Sequence, residues 1–180
     1  MGNGAEGMKY VLLLEEDFSS YSWLVSCVAA IHEAAAQAIA RCIRTFRAMS
    51  TWISDRGSHF KNQVMEELAQ QYGIRHRFVI AYSPWANGTV ERLCREVLRA
   101  VRAVISEKRL GQQDWPHIIE LVQSALNCAS VKRLGARKNG TYRSPLEVMT
   151  GILPNRMNAE SAQLPVCLRD NVAEVVSKMQ

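Results

Sequence analysis

Two acids, Asp55 and Glu91, stand where packing gives least reason for a charge, and 35 residues lie between them. Asp55 closes the apolar stretch STWIS (50–54), at the carboxyl end of a strand, where α/β sheets build their sites. Glu91 stands in the first turn of a long helical pattern that runs from Thr89 to about Lys108. At about 100° per residue, Arg95, Arg99 and Arg102 fall about 40°, 80° and 20° from Glu91, while Leu93, Val97, Val101 and Val104 fall on the opposite side. One face thus carries an acid with three guanidiniums behind it, an arrangement that suits a scissile phosphate whose backbone continues along the arginines. Each part also has a plainer reading. Asp55 can be a turn former ahead of Gly57, Glu91 an acid favoured by the helix dipole, and the arginines a solvated face. Beside Glu91, the nucleic-acid reading of those arginines outweighs the plain one.

The elements that must position these residues follow from periodicity. Gly2, Gly4 and Gly7 give a turn-like lead into Tyr10–Leu14 (YVLLL), a continuous apolar run that predicts a strand buried on both faces. After Ser19, Ser20 and Ser22, the segment Tyr21–Val28 predicts a second strand returning as a hairpin. Ala36, Ile39, Ala40, Ile43 and Phe46 recur at helical spacing, so a helix is expected over His32–Phe46. Strand-like Ser50–Ser54 follows, then a helix over about Phe60–Tyr72 that Gly73 stops. Arg77–Ala81 predicts a further strand, and Tyr82–Gly88 (YSPWANG) reads as a turn. Helices over Thr89–Lys108, Asp114–Ala129 and Pro145–Met149 complete the order, with Lys132–Arg143 (KRLGARKNGTYR) as a basic loop.

The chain has 180 residues, 48% hydrophobic and 22% charged, enough for one domain with a real core and unlike disordered or collagen-like chains. Its apolar runs fall short of a membrane span, and Met1–Gly7 lacks the parts of a signal peptide. The expectation is a soluble, intracellular protein. Five scattered cysteines, Cys27, Cys42, Cys94, Cys128 and Cys167, show no zinc-ligand spacing and read as reduced thiols. The net charge of +5 suits a polyanion partner but is too small to identify one.

YVLLLEEDFSSY, WISDRGSHFKNQV, YSPWANGTVER and SPLEVMTG, spanning about Tyr10 to Gly151, together resemble the catalytic core of retroelement integrases. The likeness is to the D,D-35-E (DDE) group of transposable elements, and especially to long-terminal-repeat retrotransposons. The resemblance implies an α/β, RNase H-like fold: a mixed five-stranded sheet flanked by helices, in which three carboxylates hold two Mg²⁺ ions, or Mn²⁺. Two such ions stabilise the attacking and leaving oxygens of phosphoryl transfer together, and hard oxygen ligands suit Mg²⁺. Asp55 and Glu91 align with the second and third acids of that set. By the same resemblance Tyr82 and Asn87 belong to a loop contacting DNA ends, and Lys61 reaches phosphate. The implied function is DNA integration, by 3′-end processing and strand transfer on element ends and target DNA, in a homo-oligomer acting in the nucleus. KRLGARK (Lys132–Lys138) is a weak localisation match. The alternatives are a catalytically inactive DNA-binding remnant and a fragment with neither property.

The first acid of the set is missing from its expected place. Glu16 and Asp17 are the tempting candidates, but only 37 residues separate Asp17 from Asp55. Two strands, a helix, a strand and their loops need roughly 50. Tyr10–Leu14 is therefore the family's second strand, and the first strand with its Asp is expected ahead of Met1; Glu6, in a Gly-rich turn, is a poor substitute. The expected organisation is a truncated core over 1–155 with a tail over 156–180. Neither the His-His-Cys-Cys amino-terminal domain of integrases nor a carboxyl-terminal DNA-binding domain is expected in this sequence.

Overall fold

A computed structural model describes residues 4–46, 49–58, 60–79 and 84–154, with side chains of 84–87 excepted. Strands β1 (Tyr10–Glu15) and β2 (Ser22–Cys27) form an antiparallel hairpin, in register from Tyr10 opposite Cys27 to Glu15 opposite Ser22. The turn between them is built by Glu16. Its carboxylate accepts hydrogen bonds from the Phe18 amide (3.2 Å), the Ser19 amide (2.7 Å) and the Ser19 hydroxyl (2.5 Å). Burial works against that charge, but the Ser19 and Phe18 hydrogen bonds outweigh it and hold the Glu16 carboxyl below its ordinary value. Glu16 thus holds the turn between the two strands.

Helix α1 (His32–Phe46) occupies the expected range and buries Ala35, Ala38, Ile39, Cys42 and Ile43. Strand β3 (Thr51–Ser54) pairs in parallel with β4 (Arg75–Phe78), from Thr51 opposite Arg75 to Ser54 opposite Phe78. Between them lies α2 (Gln63–Tyr72). Asn62 caps its start by accepting from the Met65 amide, and Gly73 ends it at φ 65°, a left-handed conformation that costs a glycine little. Helices α3 (Pro84–Lys108), α4 (Trp115–Cys128) and α5 (Pro145–Thr150) follow.

Four sequence expectations need correction. β4 spans Arg75–Phe78 and so starts two residues before the expected Arg77, because the alternation in RHRF turns His76 and Phe78 inward and leaves Arg75 and Arg77 exposed; residues 80–81 of the expected strand lie outside the described residues. α2 starts at Gln63 rather than Phe60, since Asn62 supplies its cap. α3 begins at Pro84, so Ala86–Gly88, expected in a turn, are helical; a proline at the first helical position is well tolerated. The basic loop is an ordered hairpin: Ala136 bridges Tyr142, and Arg137 N–H donates to the Thr141 carbonyl at 2.7 Å.

Two cores explain how β1 is used. Val11 and Leu13 pack on a cluster of Leu24, Leu93, Val97, Val101, Val104, Trp115, Ile118, Ile119 and Val122. Leu12 and Leu14, on the other face, pack on Ala35, Ile39, Ile43, Trp52, Met65, Ala69 and Ile74. The apolar run YVLLL therefore meets apolar partners on both sides, as its composition predicts. None of its residues is fully buried, however. The reason is the sheet: the described strands form two separate pairs rather than one five-stranded sheet. The outer side of β2 is closed by α4. Asn127 Oδ1 accepts from the Ser22 amide (2.9 Å) and hydroxyl (3.2 Å), Asn127 Nδ2 donates to the Ser22 carbonyl (2.8 Å), and Gln123 Oε1 accepts from the Leu24 amide (2.6 Å). The second edge of β1 has no strand partner among the described residues, and β1, not β2, shares its core with β3.

Candidate active site and nucleic-acid face

Asp55 follows directly on β3 and is exposed. Its Oδ1 accepts the Gly57 amide at 2.8 Å, as the turn-forming reading expects, and Oδ2 is left outside that turn bond. The Gly57 carbonyl in turn accepts the amides of Phe60 and Lys61, each at 2.9 Å. That turn carries the exposed Lys61 close behind Asp55 in the chain. On the strand side, the Ser54 hydroxyl donates to the Asp55 carbonyl at 2.9 Å and meets His76 Nε2 at 2.8 Å. Burial holds the His76 imidazole below its ordinary pKa, with the Glu66 carboxylate pulling the other way.

Glu91 is exposed on α3, but as the eighth residue of a helix that begins at Pro84. The first-turn placement and its dipole explanation fail, since that field fades within one turn. Arg95, Arg99 and Arg102 are all exposed, and Leu93, Val97, Val101 and Val104 are all buried, as the helical wheel requires. Tyr82 lies outside the described residues, and Asn87 lies in α3 with its side chain outside them.

Two acids missed by the sequence reading border this face. Burial raises the Glu96 carboxyl, opposed by Arg92, Arg99 and Arg95. Burial likewise raises Glu15, opposed by a hydrogen bond with Ser20 and by Arg133 and Arg92, and reinforced by Glu96. The two-residue alternation of YVLLLE was the available signal, since it puts Glu15 on the α3 side with Val11 and Leu13. The Cys94 thiol is raised by burial and then by Glu91 and Glu15, so α3 brings Glu91 and the end of β1 into one electrostatic neighbourhood. Cys27 and Cys42 are buried, and all four described cysteines are free thiols.

Carboxylate oxygens are the donors a hard divalent cation prefers, and Asp55 and Glu91 supply them from exposed positions. Among the described residues, no three His, Cys, Asp or Glu side chains gather into a metal cluster. The donor set therefore fits such an ion only in part, two acids of the three that the resemblance implies.

Comparison with known proteins finds a shared fold and a partial family match. Residues 1–84 match the integrase core domain family. The chain is 26% identical over 83 residues to the Retrovirus-related Pol polyprotein from transposon TNT 1-94 of Nicotiana tabacum, covering 46% of this chain and 6% of that one. It is 28% identical over 118 residues to the Pol polyprotein of Feline endogenous virus ECE1, covering 64% of this chain and 11% of that one. The chain thus spans a small fraction of these curated relatives. Among solved structures it resembles the catalytic core domain of BIV integrase, with a TM-score of 0.61 at 21% identity, covering 77% of this chain and 84% of that one. It also resembles a chain of the simian T-cell lymphotropic virus intasome in complex with PP2A regulatory subunit B56 gamma, with a TM-score of 0.66 at 15% identity, covering 86% and 52%. The fold is that of integrase catalytic cores, RNase H-like. Residues 1–84 thus carry the likeness to the integrase core domain family, and the described fold is shared with integrase catalytic cores. That family consists of divalent-metal-dependent polynucleotidyl transferases that bind DNA. Among the described residues, no helix is long and apolar enough to cross a membrane.

Proposed function

We propose that this chain serves DNA integration, binding DNA along α3 and presenting Asp55 and Glu91 to a scissile phosphodiester. The observation that carries the reading is the exposed row of Arg95, Arg99 and Arg102 behind Glu91, over a fully buried apolar face. The arginines hold the DNA backbone and set its register, because phosphate contacts position a duplex without reading its sequence. Lys61, on the turn after Asp55, adds a phosphate contact, and Tyr82 and Asn87 contact the DNA ends. Asp55 and Glu91 would hold Mg²⁺ or Mn²⁺, which when bound stabilises the oxygens of an in-line displacement. The reaction is hydrolysis at a 3′ end, followed by attack of the new hydroxyl on a target phosphodiester. The catalytic core occupies residues 1–155, with 156–180 as a tail, and it works as a homo-oligomer in the nucleus.

The third acid, in this reading, comes from a strand that pairs with the open edge of β1 and joins it to β3. The separation of the two strand pairs and their shared core under Leu12, Leu14 and Trp52 support this. The buried Trp52 Nε1, which meets no hydrogen-bond partner among the described residues, is in keeping with it. A second reading, a DNA-binding remnant without turnover, is favoured by the lack of a three-residue donor cluster among the described residues. Mn²⁺-dependent strand transfer separates them. It is measured for this chain and for the chain preceded by an apolar strand carrying an Asp. Activity in the extended chain that disappears in Asp55→Asn and in Glu91→Gln supports the integrase reading; activity that survives either change rejects it. DNA binding without transfer in both chains supports the remnant.

A further inference from the structure

We infer that His76 is a positioning residue for Asp55, acting through the hydroxyl of Ser54. The inference rests on the reading of Asp55 as a metal-binding acid and names a residue of β4 that supports it.

β3 and β4 are parallel and in register, with Trp52 opposite His76 and Ser54 opposite Phe78. Side chains two apart on a strand share a face. Trp52, Ser54, His76 and Phe78 therefore form one patch on the sheet. Within it the His76 ring packs edge-on to Trp52 at 4.9 Å between centroids and at 4.3 Å from Phe78. These two contacts fix the plane of the imidazole, and the fixed ring brings Nε2 to 2.8 Å from Ser54 Oγ.

Proton counting decides the direction of the relay. A serine hydroxyl has one hydrogen, and a backbone carbonyl can only accept. Ser54 Oγ lies 2.9 Å from the Asp55 carbonyl and donates its hydrogen there. Its remaining contact with His76 must then be one in which Nε2–H donates and Ser54 Oγ accepts. The tautomer is assigned by the network rather than by a visible hydrogen. The order is His76 Nε2–H to Ser54 Oγ, and Ser54 O–H to the Asp55 carbonyl. The Ser54 carbonyl is fixed as well, by the Val79 amide at 2.8 Å. On the far side of Asp55, its carboxylate is held by the Gly57 amide. The peptide from which Asp55 projects is thus clamped from β4, while its side chain is clamped from its own turn.

A short strand end needs such a clamp. β3 has four residues and no second strand partner among those described, and its Ile53 is 66% exposed. Little packing fixes the last residue of such an edge. The hydroxyl relay supplies the missing constraint, so the direction of the Asp55 carboxylate depends on a residue 21 positions later in the chain.

The test uses the whole chain with Mn²⁺ alone as probe, together with hydrogen exchange at the Gly57 amide, the donor to Asp55. His76→Phe keeps the aromatic packing and removes the donor. His76→Gln restores an N–H in the same region. Ser54→Ala removes the relay itself. His76→Phe is expected to speed Gly57 exchange and to weaken Mn²⁺ binding by roughly 2- to 10-fold, the size of one ordinary hydrogen bond. Ser54→Ala should reproduce both effects, the double variant should add nothing further, and His76→Gln should recover most of the loss. A merely structural role of the ring would give no recovery with Gln. Gly57 exchange unchanged in His76→Phe, or full additivity with Ser54→Ala, overturns the inference whatever the metal result. Asp55→Asn provides the separate check on the underlying reading. Mn²⁺ binding unchanged in Asp55→Asn rejects Asp55 as a ligand, and the exchange comparison then decides His76 alone.

Discussion

Replacing Arg95, Arg99 and Arg102 together by Gln should flatten the salt dependence of DNA binding by an amount the structure allows to be worked out. All three side chains are exposed on one face of α3. Each phosphate neutralised on B-DNA contributes about 0.9 to the slope of log K against log salt. Three full contacts would lower the slope by about 2.7. Glu96 reduces this, because its half-buried carboxyl lies among Arg92, Arg99 and Arg95 and neutralises part of their charge when ionised. The expected fall is therefore about 1.8 to 2.7. Raising salt fourfold should weaken the wild-type chain roughly 12- to 40-fold more than the variant. Fluorescence anisotropy of a labelled duplex over a salt series measures this directly. Substitution of exposed residues leaves the buried row Leu93, Val97, Val101 and Val104 in place, so the thermal midpoint should stay close to wild type. A slope within about 0.5 of wild type in a folded variant would refute the assignment of this face to DNA.

Two further outcomes concern the scaffold. Asn127→Ala should strip the Ser22 amide and carbonyl of a buried partner. At about 1–3 kcal/mol for each group left unsatisfied, it should cost about 2–6 kcal/mol in urea unfolding, whereas Ser22→Ala, which loses only the hydroxyl, should cost about 1 kcal/mol. Equal losses in the two variants would contradict the role given to Asn127. Glu15→Gln should raise the thermal midpoint at pH 7 and lose that advantage as pH falls below about 4.5. Burial raises the folded carboxyl above its ordinary value, so the folded state holds its proton more tightly than the unfolded chain. The favourable contribution is then present at low pH and is lost as pH rises through the folded value. A destabilised variant at pH 7 would show instead that the Arg133 and Arg92 attractions dominate.

Features that repeat at short range were legible in the sequence. The range of α1, the split of β1 side chains between two faces and the exposed arginines opposite the buried aliphatic row of α3 follow from periods of 2 and 3.6, and the stop after Tyr72 from the left-handed backbone open to Gly73. The RNase H-like fold was legible too, because the motifs that resemble integrase cores are short and keep their order along the chain. Boundaries that depend on local competition were not. RHRF became a strand two residues earlier than its apolar continuation suggested, because parallel pairing with β3 fixed the register. YSPWANG gave way at Pro84 to the start of α3, which moved Glu91 inward from the first turn. Contacts between distant segments were decided only by tertiary structure. The Ser54 to His76 relay, the Asn127 clamp on Ser22 and the crowding of Glu15 with Glu96 each join residues whose spacing carries no signal. Periodicity says which face a side chain takes on its own element. What lies across from that face is set by how whole elements pack, and there the hydrogen bonds that reach the Asp55 backbone and the local field at Glu15 arise.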